Sequence, residues 1–230
     1  MRIDEVIEFS EKQEQKDREI GFADPDGFGW SFLPNLYEKS MQADNEFRLK
    51  VWLMERRISN LVLLVRRLRD ELNLPQREGS SETKNKHYIE IDIDAFLHFS
   101  YLILNIVARF TPRFYKDVER EGLKNKGFND QKRWFLKHPE IDKAYSEYLG
   151  TKTFWFEEME KDRSALSHHH PLIAFRSSKY VLAFGTHRKH SRADKNGFIP
   201  NYPILDYVNE KSSGLLEFIQ FYDEHFGKQS

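Results

Sequence analysis

The chain has no cysteine, and that absence removes disulfides, thiol catalysis and Cys-ligated zinc at once. Net charge is nearly absent too: 36 Lys and Arg stand against 37 Asp and Glu. The molecule as a whole therefore has no field that attracts nucleic acid, and any such affinity must come from a local patch. No GxxxxGK[ST] or GxGxxG run occurs, so phosphate-cradling loops of those types are unsupported, and no internal repeat is evident. The opening "MRIDEVIEFSEKQEQKDREI" is charged throughout and lacks an apolar core of the signal-peptide kind. The most apolar segment, "AFLHFSYLILNIVARF", is interrupted by His98, Ser100, Asn105 and Arg109. At roughly 16 residues it falls short of a membrane span of about 20. It reads as the buried helix of a bundle, and the protein is expected in the cytoplasm with no membrane partner.

What is present is material for a core. Hydrophobic residues make up 39% and aromatics 14%, with 19 Phe, while the 32% of charged residues suits amphipathic helices with solvated outer faces. The expected fold class is mainly α: a single helical-bundle domain over residues 1–230, with a small β-hairpin after residue 171. Residues 1–34 form an N-terminal extension that breaks at "DPDGFGWSFLPN". Phe47, Val51, Met54, Ile58, Leu61, Val65, Leu68 and Leu72 step by three and four, predicting one long helix over 36–72. "LPQREGSSETKNK" reads as an exposed loop. A second helix is expected from near Asp94 to Thr111, stopped by Pro112. Two short helical pieces follow around Pro139, then a helix ending against Pro171. "LIAFRSSKYVLAFG" has the pattern of a hairpin, "THRKHSRADKNG" of a basic loop, together covering 171–202, and the last 25 or so residues look helical again.

The segment with chemical content is "KDRSALSHHHPL", residues 161–172. Arg163 is followed at gaps of four, five and six residues by His168, His169 and His170, and then by Pro171. At about 100° per residue, His170 falls near the azimuth of Arg163 and His168 lies well round the helix. Pro171 disfavours α geometry at His170, so the spacing does not choose among the three. At a helix C-terminus the dipole favours positive charge and raises a histidine toward neutrality, where it serves as general base or general acid. A fixed arginine neutralises a phosphate and the added charge of a phosphorane. Arginine plus histidine, without metal, suffices to cleave RNA through its own 2′-hydroxyl.

Arg163-Ser-Ala-Leu-Ser-His168, late in a helix of an α-helical domain, resembles the R-x4-6-H motif of the HEPN superfamily. The resemblance implies a helical bundle, commonly a homodimer whose two motif helices face each other in a composite cleft, and metal-independent endoribonuclease activity of the toxin–antitoxin or phage-defence kind. It gives Arg163 the phosphate-stabilising role and His168 the acid/base role, with His169 or His170 at the longer gaps. It also implies RNA or nucleotide as ligand, an antitoxin-type protein partner and no cofactor. Ser164 stands where the family often carries Asn, Asp or His.

Residues 163–195 hold seven basic side chains against Asp194 alone, a local net of +6 before any histidine is protonated. Arg176, Lys179, Arg188, Lys189 and Arg192 are therefore the candidate RNA contacts. Glu158, Glu160 and Asp162 precede Arg163; either Glu160, three residues back, orients the guanidinium, or all three are solvent-side charges. Asn105 and Arg109 share a face of the apolar helix, either in the same cleft or bonded within the bundle. "His187-Arg-Lys-His190" lacks a carboxylate at ligand spacing, so no metal site is expected. Two other readings stand beside the nuclease. One is a catalytically silent HEPN-like module that binds nucleotide, RNA or protein. The other is a structural helical interaction protein whose histidines merely finish a helix.

Overall fold

A computed structural model describes the backbone of residues 3–8, 12, 31–73, 80–167, 172–176, 180–184 and 202–228, with side chains over 3–8, 12, 31–72, 87–164 and 203–228. Among these residues the protein is mainly helical. Residues 3–8 form α1. There follow α2 (Pro34–Met41), α3 (Asn45–Asn73), α4 (Ser80–Phe110), a 3-10 turn (Thr111–Phe114), α5 (Asp117–Leu123), α6 (Phe128–Lys137), α7 (Lys143–Thr151), α8 (Phe154–Ser167) and α9 (Ile204–Gly227).

The apolar stripe of α3 is buried from Phe47 through Leu68. The single helix expected over 36–72 is, however, two. The Asp44 carboxylate accepts the Phe47 N–H at 2.7 Å, an N-cap that starts α3 afresh after α2. The loop expected over 74–86 is also corrected, because α4 begins at Ser80 rather than near Asp94. After Gly79 that segment has neither Pro nor Gly to break a helix, and its Ser80 and Glu82 suit a helix start. By length and composition, residues 87–114 would suffice to cross a membrane, yet half of the most apolar window is buried inside the protein.

The chain divides into two compact units. The first comprises Met1–Val62, Tyr101–Thr153 and Ser213–Ser230. Its core is aromatic: Phe110, Phe128, Phe135, Tyr145, Tyr222 and Phe226 are fully buried. Phe114 stacks on Phe226 at 4.6 Å, and Tyr148 on Phe221 at 3.9 Å. Gly122 lets α5 approach this cluster closely, since a Cβ there would lie 2.8 Å from the Trp134 ring. Two carboxylates from distant helices cap the start of α2. Glu55 accepts the Ser31 hydroxyl and the N–H groups of Phe32 (3.0 Å) and Leu33 (2.8 Å). Asp223 accepts the Leu36 N–H at 2.8 Å and the Asn35 amide at 2.6 Å. Burial raises both carboxyls above their ordinary values against the pull of these hydrogen bonds.

The second unit comprises Leu63–Ser100 and Phe154–Ser212. Leu68, Ile89, Phe96, Phe156, Met159 and Val208 are buried in it. Asp92, buried, is gripped through both oxygens by Arg67, one contact being Nε to Oδ2 at 2.7 Å. Backbone pairing is antiparallel between β1 (Leu172–Arg176) and β2 (Tyr180–Phe184), and between β2 and β3 (Tyr202–Pro203). Residues 177–179, where the expected hairpin would turn, lie outside the described residues.

Asp142 ties three elements of the first unit together. It caps α7 by accepting the Tyr145 N–H at 2.9 Å, and its other oxygen meets Tyr115 (2.9 Å) and His225 (2.7 Å). Burial pushes its carboxyl up, but the bonds from His225, the Tyr145 N–H and Tyr115 outweigh that and hold it below its ordinary value. A depressed carboxyl contributes stability that is present above the unfolded carboxylate value and lost as pH falls through the folded one. Asp142→Asn should therefore flatten the acid limb of a stability–pH curve measured by urea unfolding. Asp142→Ala should cost about 2 kcal/mol near neutral pH through the lost cap and the unmet donors.

Candidate functional site

Arg163 lies late in α8, four residues before its last described residue, Ser167. Phe156 and Met159 anchor α8 through buried side chains. Arg163 and Ser164 are half-buried, and Arg163 is engaged within the protein, as are Glu160 and Asp162. The residue before the arginine is the better buried of the pair. Asp162 is 3% exposed and accepts the Tyr207 hydroxyl of α9 at 2.7 Å. One turn earlier, Glu158 receives the Lys211 ammonium, which also reaches Glu210 at 2.7 Å. Lys211 is wholly buried, and its Nζ lies 5.6 Å from the centre of the Tyr207 ring.

This arrangement fixes α8 on α9 by two polar contacts one helical turn apart. Asp162 and Glu158 are at i and i−4, so they share a face, and Arg163 is turned about 100° from Asp162. The same contacts that hold the carboxylates thus set the direction in which the arginine leaves the helix. Chemically, a cationic guanidinium so held can meet a phosphate oxygen, provided an acid/base group arrives from the residues after Ser167.

Of the other predicted site residues, Asn105 and Arg109 lie on α4 in the first unit, half-buried and exposed respectively, while Arg163 belongs to the second. Glu160 is half-buried on α8. His168, His169, His170, Lys179, Arg188, Lys189 and Arg192 lie outside the described residues. So does the side chain of Arg176, whose backbone, in β1, pairs with that of Tyr180 in β2. Among the described residues no group of three or more His, Asp or Glu side chains is placed to hold a metal ion.

Sequence reasoning missed Tyr207 and Lys211 and took Glu158 and Asp162 for surface charges or aids to Arg163. A signal was available. Ile204, Tyr207, Val208, Lys211, Leu215, Phe218 and Tyr222 form the apolar stripe of α9, and a lysine in the middle of such a stripe needs a buried partner.

Comparison with protein-family models, with curated proteins and with solved structures returned no match.

Tyr207→Phe removes one donor from a buried carboxylate and no ring volume. It should lower stability by about 1–2 kcal/mol in urea unfolding, with Asp162→Asn in the same background adding little beyond it.

Proposed function

We propose that this is a HEPN-like protein that acts on RNA, a metal-independent endoribonuclease working through Arg163 and one histidine of His168–His170. The observation that carries the reading is the seating of Arg163. It stands next to a buried, hydrogen-bonded Asp162 on a helix tied to α9, with three histidines following within seven residues. In this reading a histidine takes the proton of the 2′-hydroxyl as its oxygen attacks phosphorus, and the bond to the 5′-oxygen breaks. That oxygen receives a proton from a histidine, and the products are a 2′,3′-cyclic phosphate and a free 5′-hydroxyl. Arg163 neutralises the non-bridging oxygens as their charge grows. Ser164 and Glu160 support its placement, and Arg176, Lys179, Arg188, Lys189 and Arg192 hold the RNA backbone. The hairpin after residue 171 would carry part of that basic surface beside the motif. A cytoplasmic homodimer with an antitoxin-type partner completes the proposal.

A second reading is favoured by the engagement of Arg163 within the protein. An arginine that serves the fold rather than a ligand would leave a silent binding module or a structural helical protein.

The test is cleavage of RNA by the purified chain in EDTA, with Arg163→Ala, His168→Ala, His169→Ala and His170→Ala beside it. The nuclease reading expects metal-free cutting that falls at least about 100-fold in Arg163→Ala and in one histidine variant. Intact RNA across substrates would overturn it and leave the silent module.

A further inference from the structure

A cavity of about 230 Å³ lies within the first compact unit, between α9 and the segment that leads into α2. Leu216, Ile219, Gln220, Asp223 and Glu224 form its α9 wall, and their spacing puts them on one face of that helix. Ser31, Phe32, Pro34 and Asn35 form the opposite wall. Voids larger than a water molecule are few in a packed domain, so one of this size needs a reason. The reason is that its walls are pinned. Glu55 of α3 holds the Ser31 hydroxyl and the N–H groups of Phe32 and Leu33. Asp223 grips Asn35 and Leu36, and a Cβ at Gly227 would lie 2.9 Å from the Asn35 carbonyl carbon. Neither stretch of backbone is free to collapse into the space.

The lining combines an apolar body with charge of one sign. Phe32, Leu216 and Ile219 are buried, Asp223 and Glu224 bring carboxylates, and no Lys, Arg or His lines the space. Burial raises the Asp223 and Glu55 carboxyls; the Glu224 charge adds to the first, and the Asp223 charge adds to the second. None of these three carboxylates forms an ion pair among the described residues. Lys39 of α2 is committed elsewhere, with its ammonium 3.3 Å from the Phe226 carbonyl oxygen and 5.4 Å from the centre of the Phe114 ring. Acceptors also outnumber donors. Asp223 accepts three hydrogen bonds, where a carboxylate has about four lone-pair sites. Asn35 gives its amide NH2 to Asp223, which leaves the amide oxygen to accept, and Gln220 gives its own to Glu224 at 3.3 Å.

A ligand that completes this cavity brings positive charge, N–H donors and an apolar body. An anion would add to the repulsion among the carboxylates, and a bare inorganic cation would leave the apolar wall uncovered. Size narrows the class further. An apolar cavity of about 150 Å³ takes one benzene ring, so this one takes a body of about nine non-hydrogen atoms.

We propose that the cavity between α9 and the start of α2 binds a small organic cation, a primary ammonium on an apolar body the size of a phenethyl group. The ammonium meets Glu224, Asp223 and the Asn35 amide oxygen, and the apolar body lies against Phe32, Leu216 and Ile219. The site lies wholly in the first unit and Arg163 in the second, so it stands or falls apart from the ribonuclease reading.

The test is titration of the full-length protein with phenethylamine near neutral pH, followed by amide proton–nitrogen NMR. Saturable shifts are expected at the Phe32, Asn35, Leu36 and Glu224 amides, with a Kd of about 0.1–1 mM. Phenethyl alcohol should bind at least about tenfold more weakly, and hydrocinnamate, the anion of like shape, should not bind. Glu224 is exposed, so Glu224→Gln should leave the rest of the spectrum unchanged while weakening the amine by about fivefold or more. Glu217→Gln removes an exposed carboxylate of α9 outside the lining and should leave the affinity unchanged. No saturable shift up to about 50 mM phenethylamine would overturn the proposal. So would equal binding of the alcohol, which would make the space a mere apolar void, or the same shifts with ammonium chloride alone. Equal losses in Glu217→Gln and Glu224→Gln would overturn it as well, since they would mark attraction to the acidic surface at large.

Discussion

Polar side chains on the buried surface of α9 are the constraint around which the neighbouring helices are arranged. A buried donor or charge without a partner costs more than most single contacts return, so each such position on α9 dictates where another element must lie. Tyr207 and Lys211 demand carboxylates and find them on α8 at Asp162 and Glu158. Tyr222 shares a hydrogen bond with Thr111 at 3.1 Å, where α4 gives way to the 3-10 turn. Asp223 demands donors and finds the uncapped N–H groups at the start of α2. His225 is met by the carboxylate that caps α7. Hydrophobic burial supplies the bulk of the favourable free energy, but it is not directional. These polar pairs make one register of each neighbour better than the alternatives.

The helical class was legible because it is written in periodicity, and the α3 stripe from Phe47 to Leu68 is buried as its spacing implies. Helix ends were read less well. The cap at Asp44 was hidden by a pattern that runs on across Met41 and Gln42, and the start of α4 was hidden by polar residues that resemble a loop in composition. Pro112 and Pro139 did mark breaks, because a missing N–H and a fixed φ act locally, whatever the tertiary setting. The polar partners of α9 could not be read in the same way. Lys211 announces by its place on an apolar stripe that it needs an anion, but nothing local says that the anion is Glu158, more than fifty residues away in the chain.

For the candidate site, the consequence is indirect but physical. Arg163 follows Asp162 in the chain, so the bond that fixes Asp162 on Tyr207 also fixes the base of the arginine side chain. A guanidinium that is pre-positioned loses little freedom on meeting a phosphate, and the benefit grows where water is excluded. The same fixity would serve a purely architectural arginine equally well. What separates the two is whether an acid/base group arrives beside it.

That convergence is best tested by a crystal structure of the protein with a short RNA carrying a 2′-deoxy sugar at the site of attack, which binds but cannot be cut. The account predicts one phosphate within hydrogen-bond reach of both the Arg163 guanidinium and an imidazole of His168, His169 or His170. Arg163 bonded only to protein groups, with the RNA absent or bound elsewhere, would contradict it.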